Sequence, residues 1–143
     1  MRITGLSLCL VLLSLSGLKA RAAEETPFSV LAQLATALSE NDVDAALAFF
    51  DPAMKDRGEI ESRLEALTAQ ADIACSLDVV TENEAGGAHK LDVDWFFQLT
   101  SQADESHLER RRERVAMEMH LVKGHWRITS LAPLKILDPL RIQ

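Results

Sequence analysis

The chain has 143 residues, 48% of them hydrophobic and 26% charged, with a formal net charge of −7. That length makes one domain with room for one core. The acidic balance argues against a nucleic-acid or anionic-membrane surface.

Residues 1–22 read as a secretory signal peptide. Arg2 is the basic start, Leu6 to Leu18 form an apolar core too short to span a bilayer, and Ala20 and Ala22 are the small residues a signal peptidase reads. Cys9 lies inside the apolar core, away from the cleavage site, so it is not a lipid-anchoring cysteine. Cleavage leaves residues 23–143 as a secreted or periplasmic domain with no membrane span. It removes Arg2, Lys19 and Arg21, which takes the net charge from −7 to −10. Only Cys75 then remains, so no internal disulfide is available and stability rests on packing. Cys75 sits in an alternating run and reads as a buried small hydrophobe.

Three helices come next. Over residues 27–40, Phe28, Leu31, Leu34, Ala35 and Leu38 recur at spacings of three and four, with Thr26 as N-cap and Pro27 in the first turn. Asp42 caps a short helix over 43–50 that buries Ala46, Leu47, Phe49 and Phe50. A third helix, about 56–71, turns Ile60, Leu64 and Leu67 inward and keeps its charges in solvent.

Four strands follow. In 73–82 the alternating positions are Ile73, Cys75, Leu77, Val79 and Thr81, and Gly86-Gly87 then turns the chain. In 91–99 Leu91, Val93, Trp95, Phe97 and Leu99 share a face. In 115–121 Val115, Met117, Met119 and Leu121 do so. Lys123-Gly124 signals a tight hairpin, after which Trp126, Ile128 and Ser130 share one face of the last strand. Pairing residues that sum to 208 sets Val93 against Val115, Leu91 against Met117, Asp94 against Arg114 and Gln98 against Arg110. A slip of one residue would oppose apolar to polar everywhere. The tail, 132–143, is apolar, but Pro133 and Pro139 bar a regular helix. It is expected to lie along the sheet or across a barrel mouth.

The order of elements resembles the nuclear transport factor 2-like (SnoaL-like) superfamily. Leu38-Ser39-Glu40-Asn41-Asp42-Val43-Asp44-Ala45-Ala46-Leu47 resembles its helix-break-helix. Phe50-Asp51-Pro52-Ala53-Met54 is similar to its F-x-P-x-M segment, and Leu121-Val122-Lys123-Gly124-His125-Trp126-Arg127-Ile128 to its closing hairpin. The resemblance implies an α+β fold: three N-terminal helices packed in the concave face of a strongly curved four-stranded antiparallel sheet, a cystatin-like cone. It also implies a range of roles, from isomerases and dehydratases to ligand binders and dimerising modules.

Steroid-isomerising members resemble one another in pairing a carboxylate base with a tyrosine donor, and this sequence has no tyrosine. Dehydratase-like members use an inward His–Asp pair. Here His89, His107, His120 and His125 read as surface or strand-edge residues. No spacing suggests a metal site and no Gly-rich loop opens a helix, so no cofactor is expected. The candidate ligand pocket is Trp95, Phe97, Arg111, Glu113, Met117 and Trp126, mostly apolar with one charged pair at the cone's mouth. The leading expectation is an exported module that dimerises through the outer sheet face around Phe96, Ala116 and His120, binds a small apolar ligand, or does both. One alternative is an isomerase- or dehydratase-type enzyme using Glu113 with Arg111. Another is an accessory subunit of an envelope complex that docks by its apolar tail.

Overall fold

The computed structural model describes residues 24–141, so the N-terminal signal reading lies outside the described residues. Helices α1 (Pro27–Ser39), α2 (Val43–Leu47) and α3 (Arg57–Gln70) precede strands β1 (Ala71–Ala85), β2 (Ala88–Ser101), β3 (Leu108–Val122) and β4 (His125–Ala132). The strands form one antiparallel meander in the order β1-β2-β3-β4. A short 3-10 turn at Lys135–Leu137 follows.

Local chemistry sets the helix starts. Thr26 and Ser29 make a reciprocal capping box with Pro27 in the first turn. Asp42 accepts from the Ala45 amide at 3.0 Å and starts α2. The inward stripe of α1 is Val30, Leu31, Leu34, Ala37 and Leu38, whereas Phe28, expected in the core, is 48% exposed. Helix α2 stops at Leu47 instead of running to residue 50, because the chain there is recruited by a strand edge. Ile128 donates its amide to Phe49 and Asp51 donates to Ile128, both at 2.9 Å, so residues 49–51 cover the edge of β4. Phe50 is buried there, while Phe49 is only half-buried.

Asn41 joins the two layers. It has a positive φ of 54°, which an asparagine tolerates better than most residues. Its amide donates to the Ala71 carbonyl at 2.8 Å and its oxygen accepts from the Ile73 amide at 3.1 Å. Ser39 similarly accepts from the Cys75 amide. The exposed edge at the start of β1 is thus capped by side chains from the end of α1.

The β2–β3 register is the one expected from apolar matching, with Val93 against Val115, Leu91 against Met117 and Gln98 against Arg110. Asp94 lies opposite Arg114, but its carboxylate bonds diagonally to Arg112. Both tight hairpins use paired positive-φ residues, Gly86-Gly87 and Lys123-Gly124.

Two bulges change the faces. One lies between Val79 and Thr81, the other opposite Glu118 and Met119 in β4. An extra residue reverses the inward–outward alternation beyond it. Thr81 therefore turns outward and bonds Asp92 at 2.8 Å, contrary to the alternation expected of it. Ser130, expected beside Ile128, is exposed, and Leu131 is buried in its place. The concave face and helices enclose a continuous core in which Trp95, Phe97, Leu31, Leu34, Leu64 and Leu67 are almost wholly buried.

Candidate functional site

Register carries Glu113 opposite Trp95 and Arg111 opposite Phe97, on the concave face near the turn between β2 and β3. So four of the six candidate residues meet at one end of the cone. The two aromatic residues do not line an open chamber. Trp95 and Phe97 pack edge to face with ring centroids 5.4 Å apart; both are at most 1% exposed, and Met117 is 3% exposed. At such exposure no void of useful size adjoins the rings.

The tail closes this end. Ile136, Leu137 and Leu140 are buried in the chain's own core, and Leu134 packs against it half-buried. Arg111 donates to three tail carbonyls: Ile136 at 3.0 Å, Pro139 at 2.8 Å, and Asp138. Its Nε donates to Glu109 at 2.9 Å. Glu113 lies 3.3 Å from the Lys135 ammonium, and Arg63 pairs with Asp138. Burial pushes the Glu109 carboxyl up, but the hydrogen bond and charge of Arg111 outweigh it and the net shift is downward. Arg111 and Glu113 therefore act on the tail: one binds carbonyls, the other a lysine.

Trp126 belongs to the other end. It faces Leu121, ten residues beyond Arg111 on β3, roughly 33 Å along a strand. There it meets His89, read from sequence as a strand-edge residue. The rings lie edge to face at 4.6 Å. His89 Nδ1 is 2.7 Å from Glu82 Oε1, and Nε2 is 3.8 Å from Glu84 Oε2. The His89 side chain is only 13% exposed. The bulge in β1 is what turns Glu82 to the face His89 occupies. The doublet Val79-Val80, which interrupts the alternation, was the one available signal. Glu25 supports the same end, accepting from the Trp126 amide at 2.7 Å.

Cys75 is half-buried, with Trp95 Nε1 donating to its sulfur at 3.1 Å. Burial pushes the thiol pKa up to about 12, against the smaller opposing effect of the Trp95 bond. The neutral thiol is the native form, so its contribution to stability is complete below the unfolded value, about 8.5, and is lost as pH rises towards the folded one. At pH 8 the native thiol is expected to react with a disulfide reagent at least about a hundredfold more slowly than in urea-unfolded chain, since the thiolate is the nucleophile. Equal rates would show an accessible, ionised sulfur.

Among the described residues, no group of three or more His, Cys, Asp or Glu is arranged to hold a metal ion. No described helix is long and apolar enough to cross a membrane.

Three helices against a four-stranded antiparallel meander, closed by a tail at one end, define an α+β domain of the nuclear transport factor 2-like, cystatin-like fold. Solved structures with this architecture match most of the chain at low identity. A conserved protein from Planctomyces limnophilus is 10% identical, over 74% of this chain and 90% of that one, with a TM-score of 0.66. A nuclear transport factor 2-like superfamily protein from Salmonella enterica is 12% identical, over 80% and 89%, with a TM-score of 0.59. A protein with a cystatin-like fold from Nostoc punctiforme is 13% identical, over 76% and 91%, with a TM-score of 0.54. No protein-family model matches the sequence, and no curated protein matches it.

Proposed function

We propose that this chain is an exported, non-catalytic binding module that self-associates through the outer face of its sheet. The observation that carries the reading is the filled cone. Trp95, Phe97 and Leu99 occupy its interior and the tail closes one end, which leaves outer surfaces as the means of recognition. Half-buried Phe96 stands on the outer face in one row with Ser76 and Arg112. Nearby, a hollow of about 340 Å³ crosses all four strands, floored by Ala116 and Ala132. An aromatic ring on the same face as a hollow lined by Thr81, Lys90, Asp92, Ala116, Glu118 and Ala132 can meet its own copy under a twofold axis.

Sedimentation at micromolar to hundred-micromolar concentration tests this. The wild type is expected to dimerise, and Phe96→Glu to remain folded and monomeric. A wild type that stays monomeric throughout removes the dimer.

One observation favours a second reading, an isomerase- or dehydratase-type enzyme. It is the His89–Glu82 pair beside Trp126, a base with an orienting carboxylate on the concave face. This pair suits the role better than Glu113 and Arg111, whose polar groups are engaged by the tail. Turnover of hydroxy-ketone substrates that is lost in His89→Gln supports the enzyme, and turnover that survives the substitution counts against it.

A further inference from the structure

Strand β3 is longer than its partner on one side. Its pairing with β2 extends to Leu108 opposite Thr100, but its pairing with β4 ends at Ala116 opposite Ala132. Residues 108–115 are therefore partnered on one edge alone. The tail continues along the path β4 would have taken, with Lys135 beside Glu113 and the Arg141 amide 3.4 Å from Glu109. Yet it is held there by side chains. Among the described residues no backbone hydrogen bond joins it to β3. Between strand and tail lies a slot of about 310 Å³.

An unpaired strand edge is a template for another strand. This one has a distinctive charge. Arg110, Arg112 and Arg114 alternate along its exposed outer face. Arg112 is engaged by Asp94, while Arg110 makes one 3.4 Å bond to Gln98. Lys135 and Arg141 stand across the slot. The slot is lined by Arg110, Arg111, Arg112, Lys135 and Arg141 against Glu109, Glu113 and Asp138, a net positive balance on a chain that carries −7.

We infer that this edge of β3 is a docking site for an extended acidic segment of a partner protein, which adds as a strand between β3 and the tail. Main-chain hydrogen bonds to residues 108–115 supply affinity, and carboxylates at alternate positions meet Arg110, Arg112 and Arg114. A second copy is a poor occupant, because its own 108–115 edge would set arginine against arginine. The outward amides at the start of β1 are taken by Asn41 and Ser39, and the bulge after Val79 breaks the rest of that strand's line.

The test uses residues 23–143 and a fluorescein-labelled Glu-Val-Glu-Val-Glu-Val peptide, followed by anisotropy at low salt. Saturable binding is expected with a Kd below about 100 µM. A twin peptide N-methylated at alternate residues keeps the charge and loses the donors, and it is expected to bind at least about tenfold more weakly. Arg110→Glu with Arg112→Glu, both at exposed positions, is expected to abolish binding while the circular dichroism spectrum is retained. Amide exchange should slow within residues 108–115 when peptide is bound. No saturation by about 1 mM, equal binding of the methylated twin, or protection confined elsewhere overturns the proposal. Equal binding would mean that the arginines hold the peptide by charge alone, with no strand added.

Discussion

Deleting residues 133–143 is expected to leave a chain without cooperative tertiary structure at room temperature. The deletion strips Ile136, Leu137 and Leu140 from the core, three side chains that are 2%, 0% and 8% exposed. At about 1.5–3 kcal/mol each, their burial contributes roughly 5–9 kcal/mol, close to the whole stability of a domain this size, about 5–15 kcal/mol. The deletion also leaves the largely buried guanidinium of Arg111 without three of its acceptors. Near-ultraviolet circular dichroism and urea unfolding read the outcome. A point variant grades it: Leu137→Ala should lower stability by about 2–5 kcal/mol. A truncated chain with the wild-type urea midpoint would mean that the tail only rests on the core.

Trp95→Ala is the second large effect, expected to cost about 3–5 kcal/mol. Trp95 is the largest of the fully buried side chains, lies against Phe97, and sits on the central strand β2 where no edge movement can refill the space. Its loss also removes the donor to Cys75. Trp95→Phe separates the two roles. It should keep most of the packing while withdrawing the one interaction that pulls the Cys75 thiol pKa down. Thermal unfolding reports the first and the pH at which the thiol becomes reactive reports the second. If Trp95→Ala unfolds with the wild-type midpoint, the concave face is less tightly filled than the burial of Trp95 and Phe97 implies.

What could be read in advance divides along physical lines. The register of β2 on β3 was legible because alternation is strict there and a one-residue slip has a large penalty. Helix starts were legible because Thr26-Pro27 and Asp42 carry capping chemistry in their side chains. The bulges after Val79 and opposite Glu118 are far less legible, since each is one extra residue with no glycine to mark it and only the Val79-Val80 doublet hints at the first. Their consequences, Glu82 facing His89 and Ser130 facing solvent, went unseen with them. Arg111 and Glu113 were assigned to the correct face. Their engagement was hidden because the acceptors of Arg111 are backbone carbonyls, which any sequence supplies. Apolar character alone groups Trp126 with them, whereas register sets it at the far end of the sheet.

Asn41 shows how little freedom one position can have. Its amide group is needed as donor to Ala71 and acceptor from Ile73, on a backbone turned to φ 54°. Glycine would keep the turn and lose both bonds. Aspartate would keep the acceptor but set a charge against a carbonyl that needs a donor. Glutamine would carry the right group on a longer arm, with no ease at positive φ. Few single-step substitutions preserve all three properties, although the residue touches no proposed ligand. In a mutational scan read out by folding alone, position 41 should therefore stand out as intolerant, much as a catalytic residue would in a scan read out by turnover. A scan of that kind would need a binding or activity measurement beside it before intolerance at a polar residue in this fold could be taken as a mark of function.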